Sequence, residues 1–338
     1  MRITTEPLDL FLRTTFTIAH GASDVRHNIL VRIDEGVGEA PIVPYYHETP
    51  QGVMDYVARV APMVGDDPFQ LQDILMRLPC AGASAAGYAA IDVALHDLVG
   101  KRLGIPLYQF FGLNPARVPE TSFTISIDKP EVMAARAKES GWPILKIKVG
   151  VGLKPEGDVA MVQAIRQATN ARLLLDANAG WTREQAAELI PKLADYDVEF
   201  IEQPLAREDW EGLRWLKRRV SVPIFADESA QTERDLPKLV GAIDGVVVKL
   251  SKTGGLRGAL KTIAVARALD MQVMLSCMVE SSVGVTAAAH IAPLADYCDL
   301  DGPLLIANDP FTGLRYEGAK IILPDAPGLG LIANDASR

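Results

Sequence analysis

Cysteine is scarce in this chain: three residues in 338, Cys80, Cys277 and Cys298, with no C-x-x-C spacing among them. Three thiols cannot all pair, which is not the framework of a disulfide-stapled protein and suits a reducing compartment. The five histidines are dispersed, so no His/Cys ligand cluster points to zinc and none stands out as a catalyst. Neither an H-E-x-x-H nor a Walker A sequence occurs, and the G-V-G segments lack the strand–turn–helix context of a dinucleotide fingerprint. No run of roughly 18 apolar residues could span a membrane. The opening segment MRITTEPLDLFLRT has no apolar core of about 7–15 residues, so it does not read as a signal peptide. The net charge is −9 with no Lys/Arg-rich stripe, which argues against nucleic acid as a partner. The default expectation is a cytoplasmic protein with a small-molecule substrate. Nothing in the sequence fixes a number of subunits, and a homo-oligomer stays open.

What is present is ordinary in bulk and informative in order. Hydrophobic residues make up 49% and charged residues 23%, as in a soluble globular enzyme of one large or two moderate domains. From about residue 116 to 305, eight short apolar runs alternate with amphipathic segments: SFTISI, ILKIKV, RLLLDAN, EFIEQP, PIFADES, GVVVKL, QVMLSC and YCDLDGP. Eight β/α units in under 200 residues predict an α/β fold closed as a TIM-type (β/α) barrel, with an open doubly wound sheet as the alternative. Residues 1–115 differ. DLFLRTTFTI and NILVRIDEGVGEA read as antiparallel strands joined through a polar loop. GASAAGYAAIDVALHDLVGKRLG reads as a small-residue-rich helix stopped by Gly104 and Pro106. The tail, 306–338, reads as one more strand pair with a Pro/Gly-rich end, completing an α+β domain beside the barrel.

Barrel active sites form where the strands end. Those ends carry Lys146 and Lys148, then Asp176, Glu202, Asp227 and Lys249, then Asp299 and Asp301. From Lys148 to Lys249 the steps are 28, 26, 25 and 22 residues, about one β/α unit each. The set therefore converges on one mouth. Any one acid would pass for a loop-edge charge; three on consecutive strands, flanked by lysine-bearing strands, would not, because buried charges need partners or a metal. Three carboxylates form a hard oxygen site suited to Mg2+, with Mn2+ as a substitute. Lysines beside a divalent cation lose part of their preference for the protonated form and can serve as general bases. Lys148 and Lys249 on opposite sides of a metal-held carboxylate would take and return an α-proton, which is a racemase or epimerase geometry.

Together LKIKVG, LLDANAGW, FIEQPL, FADES, VVVKLSKTGG and the helix AAIDVALHDLVGKRLGIPLYQFFG resemble the muconate-lactonising subgroup of the enolase superfamily. The resemblance runs through almost the whole chain. It implies a modified (β/α)7β barrel with a capping domain, and one Mg2+ held by Asp176, Glu202 and Asp227. Lys148 and Lys249 become the acid/base pair, and Lys146 the electrostatic partner of the substrate carboxylate. Lys252, three residues past Lys249, is not expected to be catalytic. Asp299 and Asp301, at i and i+2, want a cation, and this D-x-D looks like that of the dipeptide epimerases, where a substrate ammonium fits. Thr124 and the backbone around Cys277 and Val279 match further substrate contacts. One departure concerns the segment IAHGASDVRHN. The Ala-Glu-type epimerases carry an arginine there, whereas ungapped register gives Gly21, with Arg26 further on. The expectation is a dipeptide epimerase without specificity for an acidic second residue.

Rival readings make different demands. An N-acylamino acid racemase or o-succinylbenzoate synthase on the same scaffold has no substrate ammonium for Asp299 and Asp301. A non-catalytic peptide binder would have lost one of the two lysines. A structural ion-pair network would bind no Mg2+.

Overall fold

The structure is a computed structural model that describes residues 1–79, 84–150 and 155–334; Cys80 lies outside them. Three antiparallel strands come first, β1 (Ile3–Ile18), β2 (Gly21–Ile33) and β3 (Gly36–Ala40), in the order β1-β2-β3. Helices α1 (Pro50–Val60), α2 (Leu71–Arg77) and α3 (Ala85–Leu103) follow. The stretch expected as a polar loop is mostly strand, because β1 and β2 stay paired out to Ile18 and Gly21 and only Ala19 and His20 turn. The polar residues of β2 therefore alternate across a two-faced ribbon instead of looping free.

Helix α3 is where the sheet, the helices and the barrel meet. Ser84 Oγ accepts from Gly87 N at its start, and Gly104, at φ 73°, ends it in the left-handed conformation. Every residue from Ala86 to Gly100 is buried, so its few polar side chains, Asp92, His96 and Asp97, must find partners inside the protein. Gly36 and Gly38 let β3 lie against it: a Cβ on either would collide with the carbonyl of Ala94 or Ala90. Inside α3, Asp97 accepts from Val37 N (3.0 Å), Lys101 Nζ (2.7 Å) and Leu329 N (2.8 Å), which ties the C-terminal tail onto the N-terminal unit. That tail contains the expected strand pair, Arg315–Glu317 with Lys320–Ile322.

The eight runs form eight parallel strands in sequence order: β4 (Phe123–Ile125), β5 (Ile144–Lys148), β6 (Arg172–Asp176), β7 (Val198–Glu202), β8 (Ile224–Ala226), β9 (Gly245–Lys249), β10 (Gln272–Ser276) and β11 (Tyr297–Asp299). A bridge between Thr121 and Cys298 closes the ring, with Ser122 N donating to Cys298 O. Outward side chains such as Leu145, Leu173 and Val246 pack under the helices. Inward ones, Ile144, Leu174, Phe200, Phe225, Val247 and Met274, make a separate apolar plug with Tyr297 against it. Phe200 and Phe225 stack at 4.0 Å between centroids.

Candidate active site

Moving two residues along each strand from the plug keeps the side chain pointing inward and carries it toward the carboxyl end. The residues two on are Lys146, Asp176, Glu202, Asp227, Lys249, Ser276 and Asp299. The polar ring is thus the layer above the apolar plug, and Lys148 stands one further layer up on β5. Lys148 pairs in register with Asp176, and Asp176 with Glu202. Above the ring lies a cavity of about 280 Å3, into which Thr124, Lys146, Lys148, Asp227, Lys249, Cys277, Val279, Asp299 and Asp301 all face. Asp176 and Glu202 lie beneath it, fully buried.

Each carboxylate is bound differently. Asp176 accepts from Lys148 Nζ at 2.6 Å and from Asn178 N at 2.9 Å. Asp227 accepts from Lys249 Nζ at 2.8 Å and also from Lys252. Burial opposes ionisation of both, but the lysines outweigh it and hold both carboxyls well below their ordinary range. Lys252 also donates to the carbonyls of Asp227, Ala230 and Val247, so it fixes Asp227 from behind and does not face the cavity. Glu202 is the exception. Lys146 Nζ approaches its Oε2 to 2.8 Å as an ion pair, but at an angle that makes no hydrogen bond, and neither Glu202 oxygen accepts one. Burial and the charge on Asp176 push its carboxyl well above the usual range.

Among the described residues, no three His, Cys, Asp or Glu side chains are drawn around a common centre, because ammonium groups sit between the acids. Lys146 Nζ alone lies 2.8 Å from Glu202, 3.4 Å from Asp176 and 2.8 Å from Asp299. The donor set nevertheless fits Mg2+. It is all oxygen, it comes from three neighbouring strand ends, and its central member is a buried carboxylate whose two oxygens accept no hydrogen bond. Lys249 is held as the ammonium by the acids around it. Burial disfavours the Lys249 ammonium, but Asp227, Glu202 and Asp176 reverse this and its pKa rises. A divalent ion on those same carboxylates would remove that stabilisation of the ammonium.

The two aspartates of D-x-D divide their partners. Asp299 accepts from Ser122 Oγ (2.7 Å) on one oxygen, and from Lys146 Nζ and Ser276 Oγ (both 2.8 Å) on the other. Asp301 occupies the N-cap position of the turn Gly302–Leu305 but makes no side-chain cap bond; it accepts from Thr124 N at 2.7 Å. No cation pairs with it among the described residues, and burial together with the Asp299 charge pushes its carboxyl up to about 7.

Sequence reasoning missed part of the lining. The N-terminal sheet and the loop after it supply Phe16, Ile18, Arg26, Val43, Tyr45 and Tyr46 as a largely apolar wall. Arg26 is on β2 two residues before Asn28, whose side chain reaches Val279 O (3.1 Å) and Glu39 (2.7 Å). Strand alternation puts Arg26 on the same side, and that was the available signal. Asn178 and Glu228 also face the cavity; each directly follows an assigned ligand strand, but past the strand end a period of two no longer reports direction.

Comparison with known proteins agrees with this architecture. Residues 131–337 match the family model described as enolase C-terminal domain-like, and residues 4–112 the mandelate racemase / muconate lactonizing enzyme N-terminal domain. The chain is 41% identical over 340 residues to an L-Ala-D/L-Glu epimerase of Bacteroides thetaiotaomicron, covering 98% of this chain and 88% of that protein. It is 38% identical over 341 residues to a hydrophobic dipeptide epimerase of Enterococcus faecalis, covering 95% and 96%. The crystal structure of a dipeptide epimerase from Enterococcus faecalis with Mg and the dipeptide L-Leu-L-Tyr superposes with a TM-score of 0.92 at 34% identity, over 98% of this chain and 99% of that one. The chain belongs to the enolase superfamily, with both the N-terminal and the barrel domain of its mandelate racemase and muconate lactonising branch.

Proposed function

We propose that this protein is a Mg2+-dependent dipeptide epimerase that inverts the α-carbon next to the terminal carboxylate. The observation that carries the reading is the pair Lys148 and Lys249, on β5 and β9 and facing one cavity, with Asp176, Glu202 and Asp227 on the three strands between them. One lysine, as the free amine, takes the α-proton from one face; the other, as the ammonium, returns a proton from the opposite face. A bound divalent ion supplies the positive charge that offsets the second negative charge developing on the substrate carboxylate. Lys146, held by Asp299 and Glu202, adds a fixed positive charge at the floor of the cavity. Asp301 takes the substrate ammonium: among the described residues it faces the cavity with neither a cation partner nor a place in the ligand set, and unlike Glu228, which adjoins the ligand Asp227 and is bonded to Asn178, it stands just past β11, away from that set. An N-acyl substrate would leave it without that partner.

The wall from the N-terminal sheet meets the second side chain. It is apolar and aromatic apart from His20, stacked on Tyr45, and Arg26, which has no ion-pair partner among the described residues, so both apolar and acidic side chains fit and cationic ones are repelled. The relatives carry both kinds of name, L-Ala-D/L-Glu epimerase and hydrophobic dipeptide epimerase. The test is proton NMR in D2O with Mg2+ on L-Ala-L-X dipeptides. Loss of the C-terminal α-proton signal with growth of diastereomer signals is expected, at comparable rates for X = Phe and Glu and slowest for Lys. Exchange of N-acyl amino acids but of no dipeptide would overturn the reading, and turnover of Glu far above Phe would overturn its specificity.

A further inference from the structure

Seven buried side-chain polar atoms have no hydrogen-bond partner among the described residues, and four of them belong to three residues at the ends of neighbouring strands: both oxygens of Glu202, Asn178 Oδ1 and Glu228 Oε2. With the carboxyls ionised, as metal binding requires, all four are acceptors. Asn178 and Glu228 are nine-tenths buried or more, and both face the cavity. Asn178 Nδ2 donates to Glu228 Oε1 at 3.3 Å, which fixes which end of the amide is the oxygen and leaves one acceptor on each residue free. An unmet buried acceptor costs about 1–3 kcal/mol, and a cluster of a single polarity says what would satisfy it. The missing group brings a partner aimed at the Glu202 oxygens, which Lys146 reaches only as an ion pair, and O–H donors for its two neighbours.

A bare cation answers only the first demand. Mg2+ dehydrates reluctantly, keeps several waters, and those waters are strong donors. We propose that Asn178 and Glu228 hold water molecules of the ion's hydration shell, fixing where those waters lie without ligating the ion. The inference rests on the metal-dependent reading above and adds two positioning residues to it.

The experiment is calorimetric titration of Mg2+ into the metal-free protein, with melting of the metal-free form measured alongside. The variants are Asn178→Gly, Glu228→Gln and Glu228→Leu. Asn178→Gly is decisive because it removes no charge, and because Asn178 sits at φ 42°, where glycine is at ease. The expected result is a 10–100-fold weaker Mg2+ dissociation constant for Asn178→Gly and Glu228→Leu. Glu228→Gln, which keeps an acceptor, should lose less. The metal-free melting temperature should be little changed for Asn178→Gly, since the unmet Asn178 Oδ1 goes while Glu228 Oε1 loses its donor. Unchanged Mg2+ affinity in a variant whose KM rises would assign these residues to the substrate and overturn the proposal. Weaker binding accompanied by a lower metal-free melting temperature would make them structural and overturn it too. A wild type that neither binds Mg2+ nor epimerises would instead sink the metal-dependent reading itself.

Discussion

Consider Asp301→Asn. The carboxylate is buried, one of its oxygens is engaged by Thr124 N at 2.7 Å, and no ammonium or guanidinium of the described residues pairs with it. Asparagine fits the same space and its Oδ1 still accepts from Thr124 N, so the change removes charge and little else. Losing one partner of a buried, hydrogen-bonded charge pair costs about 2–5 kcal/mol. The retained acceptor puts this case toward the lower end, about 2–3 kcal/mol, which at about 1.4 kcal/mol per decade is a ~30–100-fold loss in kcat/KM. The assay compares L-Ala-L-Phe with propionyl-L-Phe, which replaces the ammonium by hydrogen at nearly the same size. The dipeptide should lose the full factor and the propionyl substrate less than about threefold. The ammonium binds the ionised carboxylate, and the Asp301 carboxyl stands at about 7. Wild-type kcat/KM for the dipeptide should therefore fall as pH drops through 7, and the Asn variant should lack that limb. Equal losses for both substrates would refute the assignment of Asp301 to the ammonium.

Replacing Lys148 or Lys249 by Met should abolish inversion, yet each variant should still exchange the α-proton of one diastereomer in D2O, and the two variants should exchange opposite ones. Exchange of both diastereomers by either variant would exclude a two-lysine mechanism. Chelating divalent ions should stop turnover and lower the melting temperature, since saturating an ion site at a hundred times its dissociation constant contributes about 2.7 kcal/mol. His290 accepts from Tyr108 N at 3.2 Å and is buried; burial lowers its pKa from 6.5 to about 4. The unfolded chain then binds the extra proton first, so stability is whole above about 6.5 and is lost as pH falls toward 4. At about 1.4 kcal/mol per pKa unit the loss reaches ~3 kcal/mol. Denaturant melts of His290→Gln should show a shallower decline over that window.

The barrel and its polar ring were legible because strand periodicity is strict. A chain that alternates apolar and charged residues inside a parallel sheet, as in ILKIKVG, has already said which side chains share the interior. The β/α spacing then placed Asp176, Glu202 and Asp227 at one level. Legibility failed where a residue's direction depends on something other than its own strand. Lys252 follows β9 on a short helical turn, and that turn swings it back under Asp227. Asp299 was readable as facing the mouth, but its commitment to Ser122, Ser276 and Lys146 depends on strands far apart in sequence. Arg26 was obscured by gauging the N-terminal segment as a loop; once β2 is a continuous strand, its parity with Asn28 decides its side.

Asp97 joins parts of the chain made at very different times. Its helix is synthesised early, yet its hydrogen bond from Leu329 N spans 232 residues. On the same helix, Gly100 packs so closely on the Gly328 backbone that a Cβ would lie 2.7 Å from its Cα. A ribosome-bound chain can build the N-terminal sheet and lay α3 across it while the barrel is still emerging. It cannot cover that side of α3 until residues 328 and 329 arrive, because no earlier segment supplies those atoms. Bringing residues 232 apart together also carries a larger loop-closure entropy cost than the contacts inside the N-terminal unit. The domain that is made first is therefore sealed last.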